Sequence, residues 1–443
     1  MRIFMTQKGE SLDTARSLWA ATSSPGVPAS PLTRNEKADV VVVGAGYVGL
    51  SAAIHLAEAG KHVAVVDTAE PGWGASGRNN GQVIPGLKID PDAVLHRLGE
   101  PAGERLVEWS GDAPDLVFHL IDRFRMSCQA ARNGWIQPAH SRQAVKQIDK
   151  RYQQWRVRRA PVELLAPERL PTLLGTSEYY GAWLDRRGGW LNPLAYCRGL
   201  ADAARDLGVR IYSRTPVLRL DHSVARWAIH TPLAEVSARQ VVIATGAYCE
   251  VNLVNGLRQS IVPIRTAQVA TRPLPPKVAM TILPERQGAS DTRHLLTSFR
   301  VTPDGRLVMG GAGATGGVEN PSLFRSLHLA AQQLFGHLGR FEWEFAWSGR
   351  LAVTADQLPH LHEPVRDLIA ALGCNGRGIA ISTALGKVIA ERLLSPDCQD
   401  STPIPITGIR GIPLHALCGL GVAAATQFKR IQDRFDRVRS RLA

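Results

Sequence analysis

The sequence predicts an α/β fold: a parallel sheet covered on both faces, with an inserted α+β domain built on a mixed or antiparallel sheet. Three observations predict it. Asp39-Val40-Val41-Val42-Val43 is a run of β-branched residues suited to a strand buried on both sides. A glycine turn, a small-residue helix over Leu50–Ala59 stopped by Gly60, and a second apolar strand over His62–Val66 follow it directly. The same type of strand recurs at Val241-Val242-Ile243-Ala244 and at Leu368–Leu372, the latter running into a helix over Ile379–Leu394.

The remaining elements follow in chain order. Residues 21–38 are rich in Pro, Ser and Thr and read as an extended entry segment. Amphipathic helices are expected around 94–110 and 113–131, and a basic helix around 142–159. Asn192 can cap a helix over Pro193–Leu207, with Pro193 in its first turn. Short strands are expected at Arg210–Tyr212 and Val217–Leu220. Residues 261–311 read as β-structure, with Asp304-Gly305 turning a hairpin between Thr297–Thr302 and Arg306–Met309. From Leu414 the tail is first apolar and then basic.

A chain of 443 residues exceeds what one core supports, since cores stop growing at roughly 250–300 residues. With 44% hydrophobic and 21% charged residues it can bury substantial cores. No apolar run reaches the ~20 residues of a membrane span, and no apolar signal core follows the first basic residue. The net charge of +13 is spread along the chain without a nucleic-acid motif, so it reads as a solvated basic surface. The cysteines have no paired or metal-ligand spacing, which fits a reducing cytoplasm with neither a metal site nor a disulfide framework.

Gly44-Ala45-Gly46-Tyr47-Val48-Gly49 matches GxGxxG between a strand and a helix. Its glycines serve a tight turn, the approach of a pyrophosphate, and close packing of helix on strand. The helix N-terminus adds free N–H groups for phosphate. Asp67, 23 residues beyond Gly44 and followed by Thr68, ends the second strand where a ribose would be met. This much suits either FAD or NAD. The segment Gly72-Trp73-Gly74-Ala75-Ser76-Gly77-Arg78-Asn79-Asn80-Gly81-Gln82 favours FAD, because a nicotinamide domain needs no such wrapping loop there.

With these motifs, the chain resembles the D-amino-acid-oxidase-like superfamily of FAD-dependent oxidoreductases, and within it the γ-glutamylputrescine oxidoreductase group. The likeness rests on residues 44–60, 72–82, 188–212, 241–248, 299–311, 347–359 and 373–393, in the family's order. It implies a Rossmann-like FAD-binding domain of the glutathione-reductase βαβ type, drawn from residues 36–92, 188–260 and 345–400. It implies a substrate-binding domain from 93–187 and 261–344, an N-terminal extension over 1–35, and a basic helical tail over 401–443. It further implies non-covalent FAD held by the glycine loop and by Ala75, Ser76, Gly77, Arg78, Asn79, Asn80 and Gly81. Val217 would meet the adenine, Thr245 and Gly246 would close the strand, and Asn375, Gly376, Gly378 and Ile379 would bring a helix N-terminus to the flavin.

The chemistry implied is removal of a hydride equivalent from the carbon beside an amine, giving an imine that hydrolyses. Plausible substrates are γ-glutamylated polyamines or cyclic secondary amino acids such as pipecolate. Electrons would go to O2, giving peroxide; the alternatives are a dehydrogenase serving a quinone or carrier, and an FAD-binding protein that oxidises no amine. Related sarcosine oxidases place an oxygen-activating lysine on the strand corresponding to Leu307–Gly310, yet no lysine occurs here between 278 and 386. Arg265, Arg300 and Arg350 are candidates to pair with a substrate carboxylate, and Trp347 to wall the pocket. The basic tail is expected to pack on the enzyme body, with contact at a membrane surface as the lesser option.

Overall fold

A computed structural model describes residues 16–223, 225–312, 321–396 and 402–442. At its centre is a six-stranded sheet in the order His360–Val365, Leu368–Leu372, Gln240–Ile243, Val40–Val43, Val63–Val66, Arg210–Tyr212. Its neighbours pair in parallel except at the His360–Val365 edge. Val40–Val43 is buried throughout because alternate side chains enter two different cores. On one face, the helix Tyr47–Glu58 lies against Gly378–Leu394. That approach requires Gly386: a Cβ there would stand 2.6 Å from the Val48 carbonyl oxygen and 2.6 Å from the Ser51 Cβ. Ser51 Oγ donates to the Thr383 carbonyl at 2.7 Å across the same contact. A four-stranded sheet, in the order Glu36–Lys37, Glu235–Ala238, Arg226–His230, Arg219–Ser223, contributes to the core on the other face.

The second domain is built on an eight-stranded, largely antiparallel sheet. Its order is Trp343–Val353, Val262–Thr271, Leu307–Ala312, Thr297–Val301, Gly288–Ser290, Trp135–Pro138, Ala182–Asp185, Val162–Leu165. One face is apolar: Ile136, Leu184, Val269, Phe299 and Met309 form a core with the helix Pro321–Phe335. The alternate residues Gln137, Ser290, Ser298 and Gln268 carry polar groups on the opposite face, and all are buried. The strand Trp343–Val353 pairs with Val262–Thr271, so this sheet runs past the division expected at residue 345.

Several local expectations change. The helices expected at 94–110 and 113–131 are instead Pro91–Leu98 and one long helix, Ala102–Arg123, with Pro114 inside it. Proline removes the N–H that would bond the carbonyl four residues back. Here the Ser110 carbonyl accepts from the Gly86 N–H at 2.8 Å instead, so the helix continues. The strand expected at Val217–Leu220 begins at Arg219, leaving Val217 in a loop. Asn192 does cap the helix Pro193–Asp206, its Oδ1 accepting from the N–H groups of Leu194 and Ala195 at 3.2 and 3.1 Å.

The segment before the first strand is not a loose extension over its described part. It forms a short helix, Leu18–Thr22, with Leu18, Trp19 and Leu32 buried. Residues 1–15 of the expected extension lie outside the described residues. The tail forms the helix Cys418–Leu442 and packs on the body near the helix Arg142–Val157.

Candidate active site

A cleft opens at the carboxyl ends of the central strands. Its lining includes Gly44, Gly46, Tyr47, Val48, Asp67, Thr68, Ala75, Ser76, Val217, Thr245 and Gly246. Its glycines follow from crowding. Gly44 has φ +115°, and a Cβ on it would lie 2.6 Å from the Ala244 carbonyl oxygen. On Gly46, a Cβ would come 2.9 Å from Ser76 Oγ, and on Gly49 it would lie 1.9 Å from the Gly44 carbonyl oxygen. The helix Tyr47–Glu58 begins with no side-chain cap and no acid in its first turn, leaving its positive end to an anionic ligand.

Asp67 stands at the end of its strand and lines the cleft. Its carboxylate accepts from the N–H groups of Ala45 at 2.6 Å and Ala69 at 2.8 Å. Burial nevertheless pushes it up to about 6. A ligand hydroxyl donating to this group would stabilise its charged form. Cys374 also lines the cleft, and burial holds its thiol above the ordinary range, so it remains neutral.

Residues 72–76 line the cleft, whereas the predicted Gly77, Arg78, Asn79, Asn80 and Gly81 are not among its lining, and the loop 72–82 is braced internally. Ser76 Oγ accepts from the Tyr47 N–H at 3.1 Å, joining it to the glycine loop. Asn79 Nδ2 donates to the carbonyls of Ala75 and Ser76, and its Oδ1 accepts from the Gly81 N–H at 2.9 Å. Gly77 is needed for closeness, since a Cβ there would meet the Gly72 carbonyl oxygen at 2.2 Å. Arg78 stacks on Trp73 at 4.4 Å and donates to the Trp73 carbonyl at 2.7 Å. Asn80 points toward the polar face of the large sheet, its Nδ2 donating to Gln268 Oε1 at 3.0 Å. The Asn80 Oδ1 is buried without a partner, an acceptor presented where loop and sheet meet.

The loop before the helix Gly378–Leu394 is shaped by Asn375 at φ 50° and Gly376 at φ 88°. Asn375 Oδ1 accepts from the Thr354 N–H at 2.9 Å, and its Nδ2 donates to the Gly373 carbonyl at 2.6 Å. Gly378 opens the helix and Ile379 is buried in the central core. These four residues build the loop and helix start; none is among those lining the cleft.

The three expected arginines diverge. Arg350 lines the cleft, stacks on Tyr248 at 4.2 Å and pairs with Glu250 at 2.9 Å. Arg265 lies opposite it in the sheet register and donates to Ser348 Oγ at 2.7 Å. Arg300 is enclosed between Trp19 and Trp190, 4.7 and 4.8 Å from their rings. It donates to the carbonyls of Asn80 and Leu191, both at 3.0 Å. Those contacts brace the loop, while its Nη1 is buried without a hydrogen-bond partner and burial pushes the group down to about 9. Trp347 is likewise structural: it donates to the Arg78 carbonyl at 3.0 Å and meets Trp19 edge-on at 5.5 Å.

Sequence reasoning passed over Arg377. It lies between Gly376 and Gly378, immediately before the helix Gly378–Leu394, is 8% exposed, and stacks on Trp135 at 4.7 Å. Its Nη1 has no hydrogen-bond partner, and burial pushes the group down to about 9. Arg151 and Lys88 add positive charge nearby. The adjacent acids are engaged elsewhere, Asp90 with Arg151 and Asp185 with Arg187. The only sequence signal was its place in the glycine-rich 373–393 motif, where the glycines drew attention.

A βαβ glycine loop, a buried acid at the end of the second strand and a second loop beside the same cleft are the features of a dinucleotide-binding protein. The model of the DAO family, described as FAD dependent oxidoreductase, matches residues 39–392, and the chain belongs to that family. Its cofactor is FAD, and the glycine cradle and the uncapped helix end suit it. The chain is 30% identical to a probable oxidoreductase, OrdL, of Haemophilus influenzae, over 83% of this chain and 85% of that one. It is 28% identical to the γ-glutamylputrescine oxidoreductase of Escherichia coli, over 85% and 88% of the two chains. Its fold matches the crystal structure of glycine oxidase from Geobacillus kaustophilus with a TM-score of 0.70 at 23% identity, covering 85% of this chain and 100% of that one.

Proposed function

We propose that this enzyme oxidises the C–N bond of an amine that also carries a carboxylate, releasing an imine that hydrolyses in water. A γ-glutamylated polyamine fits this description, and so does a cyclic secondary amino acid such as pipecolate. Relatives named for γ-glutamylputrescine and for glycine support the substrate class. The observation that carries the reading is Arg377, a buried cation without a carboxylate of its own among the described residues. Such a charge is costly unless paired, and a substrate carboxylate would supply the partner. Bound FAD supplies the two-electron acceptor. The protein's own part is to fix the carboxylate at one end.

The polar strip of Gln268, Ser298, Ser290 and Gln137, with Asn80 and Gln82 from the loop, supports orientation of the amine and of a hydrophilic substrate body. Ser290 Oγ donates to Gln82 Oε1 at 2.6 Å, and Trp135 Nε1 to the same oxygen at 3.2 Å, so this strip is already ordered. We take O2 as the electron acceptor, with peroxide as product. A dehydrogenase that serves a quinone or carrier is the second reading, favoured by the lack of lysine between residues 278 and 386.

The test is the absorbance spectrum of the holoenzyme during anaerobic addition of an amine and amino-acid panel, followed by air. Bleaching by carboxylate-bearing amines, with peroxide on reoxidation, is expected. Bleaching with slow reoxidation in air but fast reoxidation by a quinone would establish the second reading. Bound flavin that no amine reduces would overturn both.

A further inference from the structure

The helix Cys418–Leu442 is mounted the opposite way from an ordinary surface helix. Its contacts with the body are polar. Asp433 accepts from the N–H groups of His294 and Leu295 at 2.9 and 3.1 Å, and lies 3.0 Å from His294 Nδ1. Ser440 Oγ accepts from the Arg142 N–H at 3.2 Å, and His140 Nε2 stands 3.5 Å from Asp436. Thr426 and Ser440 are the buried positions. At the entry, His415 Nε2 meets the Ile261 carbonyl at 2.9 Å.

The apolar residues face away. Leu420, Phe428, Ile431 and Phe435 are between 52 and 73% exposed, and Leu417 continues them one turn earlier. At ~100° per residue the four fall within roughly 80° of arc, opposite Thr426, Asp433 and Ser440. Exposed arginines flank that stripe, Arg430 and Arg434 on one side and Arg439 on the other. The polar docking contacts hold the stripe outward in a fixed orientation, so it is not a frayed end. A contiguous exposed apolar stripe marks an interaction surface.

We propose that this helix seats the enzyme on an anionic membrane surface, lying in the interface with its phenylalanines in the acyl boundary and its arginines among the headgroups. No helix among the described residues is long and apolar enough to cross a membrane, so the contact is along the surface. The occupant is chosen by charge. A second copy of this chain would bring another arginine-flanked face to the first, on a molecule already carrying +13. Anionic headgroups complement the arginines, each contributing roughly fivefold in partition. The inference is independent of substrate and of electron acceptor.

The test is co-sedimentation of the holoenzyme with vesicles of phosphatidylcholine alone or mixed with phosphatidylglycerol, alongside light scattering of the protein without lipid. Binding to the mixed vesicles, weakened by salt and lost at least tenfold in a Phe428→Ser/Phe435→Ser variant with unchanged turnover, is expected. Arg430→Glu/Arg434→Glu should lose the preference for phosphatidylglycerol. Failure to bind mixed vesicles, or equal binding to both kinds, would overturn the proposal. A dimer abolished by the serine variant, with no vesicle binding, would assign the face to a second copy instead.

Discussion

Replacing Arg377 by methionine tests the carboxylate reading most directly. The guanidinium is buried against Trp135 with its Nη1 unpartnered, and other cations lie close by. Methionine keeps the length and apolar contact while removing the charge. In the free protein, loss of an uncompensated buried cation relieves desolvation, so thermal stability should stay level or rise. For a carboxylate-bearing amine the variant forfeits a charged hydrogen bond worth about 1.5–3 kcal/mol, roughly tenfold to over a hundredfold in kcat/KM. A related amine lacking the carboxylate should be processed equally well by both proteins. Anaerobic stopped-flow reduction of the flavin separates the two effects, giving the substrate Kd and the limiting rate for each amine. The reasoning is refuted if Arg377→Met lowers the melting temperature and slows both amines alike, because the arginine would then be a structural brace.

Asp67, pushed up to about 6 by burial, should make FAD affinity pH-dependent. Hydroxyls donating to it favour the carboxylate, so FAD should bind fully above about 6 and weaken by at most about tenfold per pH unit below it, a trend absent from Asp67→Asn in a fluorescence titration of the apoprotein. The same raised value means that this group's contribution to apoprotein stability falls as pH rises from about 4 to about 6, which urea unfolding across that window would read. Gly49→Ala forces a Cβ to 1.9 Å from a carbonyl oxygen and should prevent stable folding or FAD retention, whereas Gly60→Ala, at φ +77° with no atom within 4 Å, should cost only about 1 kcal/mol in chemical denaturation. Trp19→Ala removes the 2.8 Å bond to the Asn79 carbonyl and one face of the Arg300 sandwich; a loss of about 3–5 kcal/mol is expected, with faster FAD release on dilution.

The parts of the fold that could be read from sequence are those that local chemistry determines. Four consecutive valines, the Asn192-Pro193 helix start and the Asp304-Gly305 turn each specify their element within a few residues, and each forms. The glycine loop was legible because phosphate binding and tight packing both demand glycine at fixed spacing. What was not legible depends on partners distant in sequence. Pro114 looks like a helix break until the Gly86 N–H takes the Ser110 carbonyl. Arg300 and Arg377 are alike as letters, yet one is clasped by two indoles and two carbonyls and the other is not. The tail's composition announced an amphipathic helix, but not which face would meet the body. Asp433 and Ser440 decided that through backbone N–H groups that no sequence pattern marks.

The central sheet has a consequence for how the chain is made. Val40–Val43 gains one neighbour within a short stretch of chain, from Val63–Val66, but its other edge waits for Gln240–Ile243, which in turn waits for Leu368–Leu372. While the ribosome is still translating the intervening residues, the nascent βαβ unit presents a bare apolar strand edge. Exposed edges of this kind template unwanted pairing between chains. The enzyme therefore passes through an aggregation-sensitive interval during synthesis, and its yield in a host cell should respond to chaperone supply and growth temperature more than the stability of the finished protein would suggest.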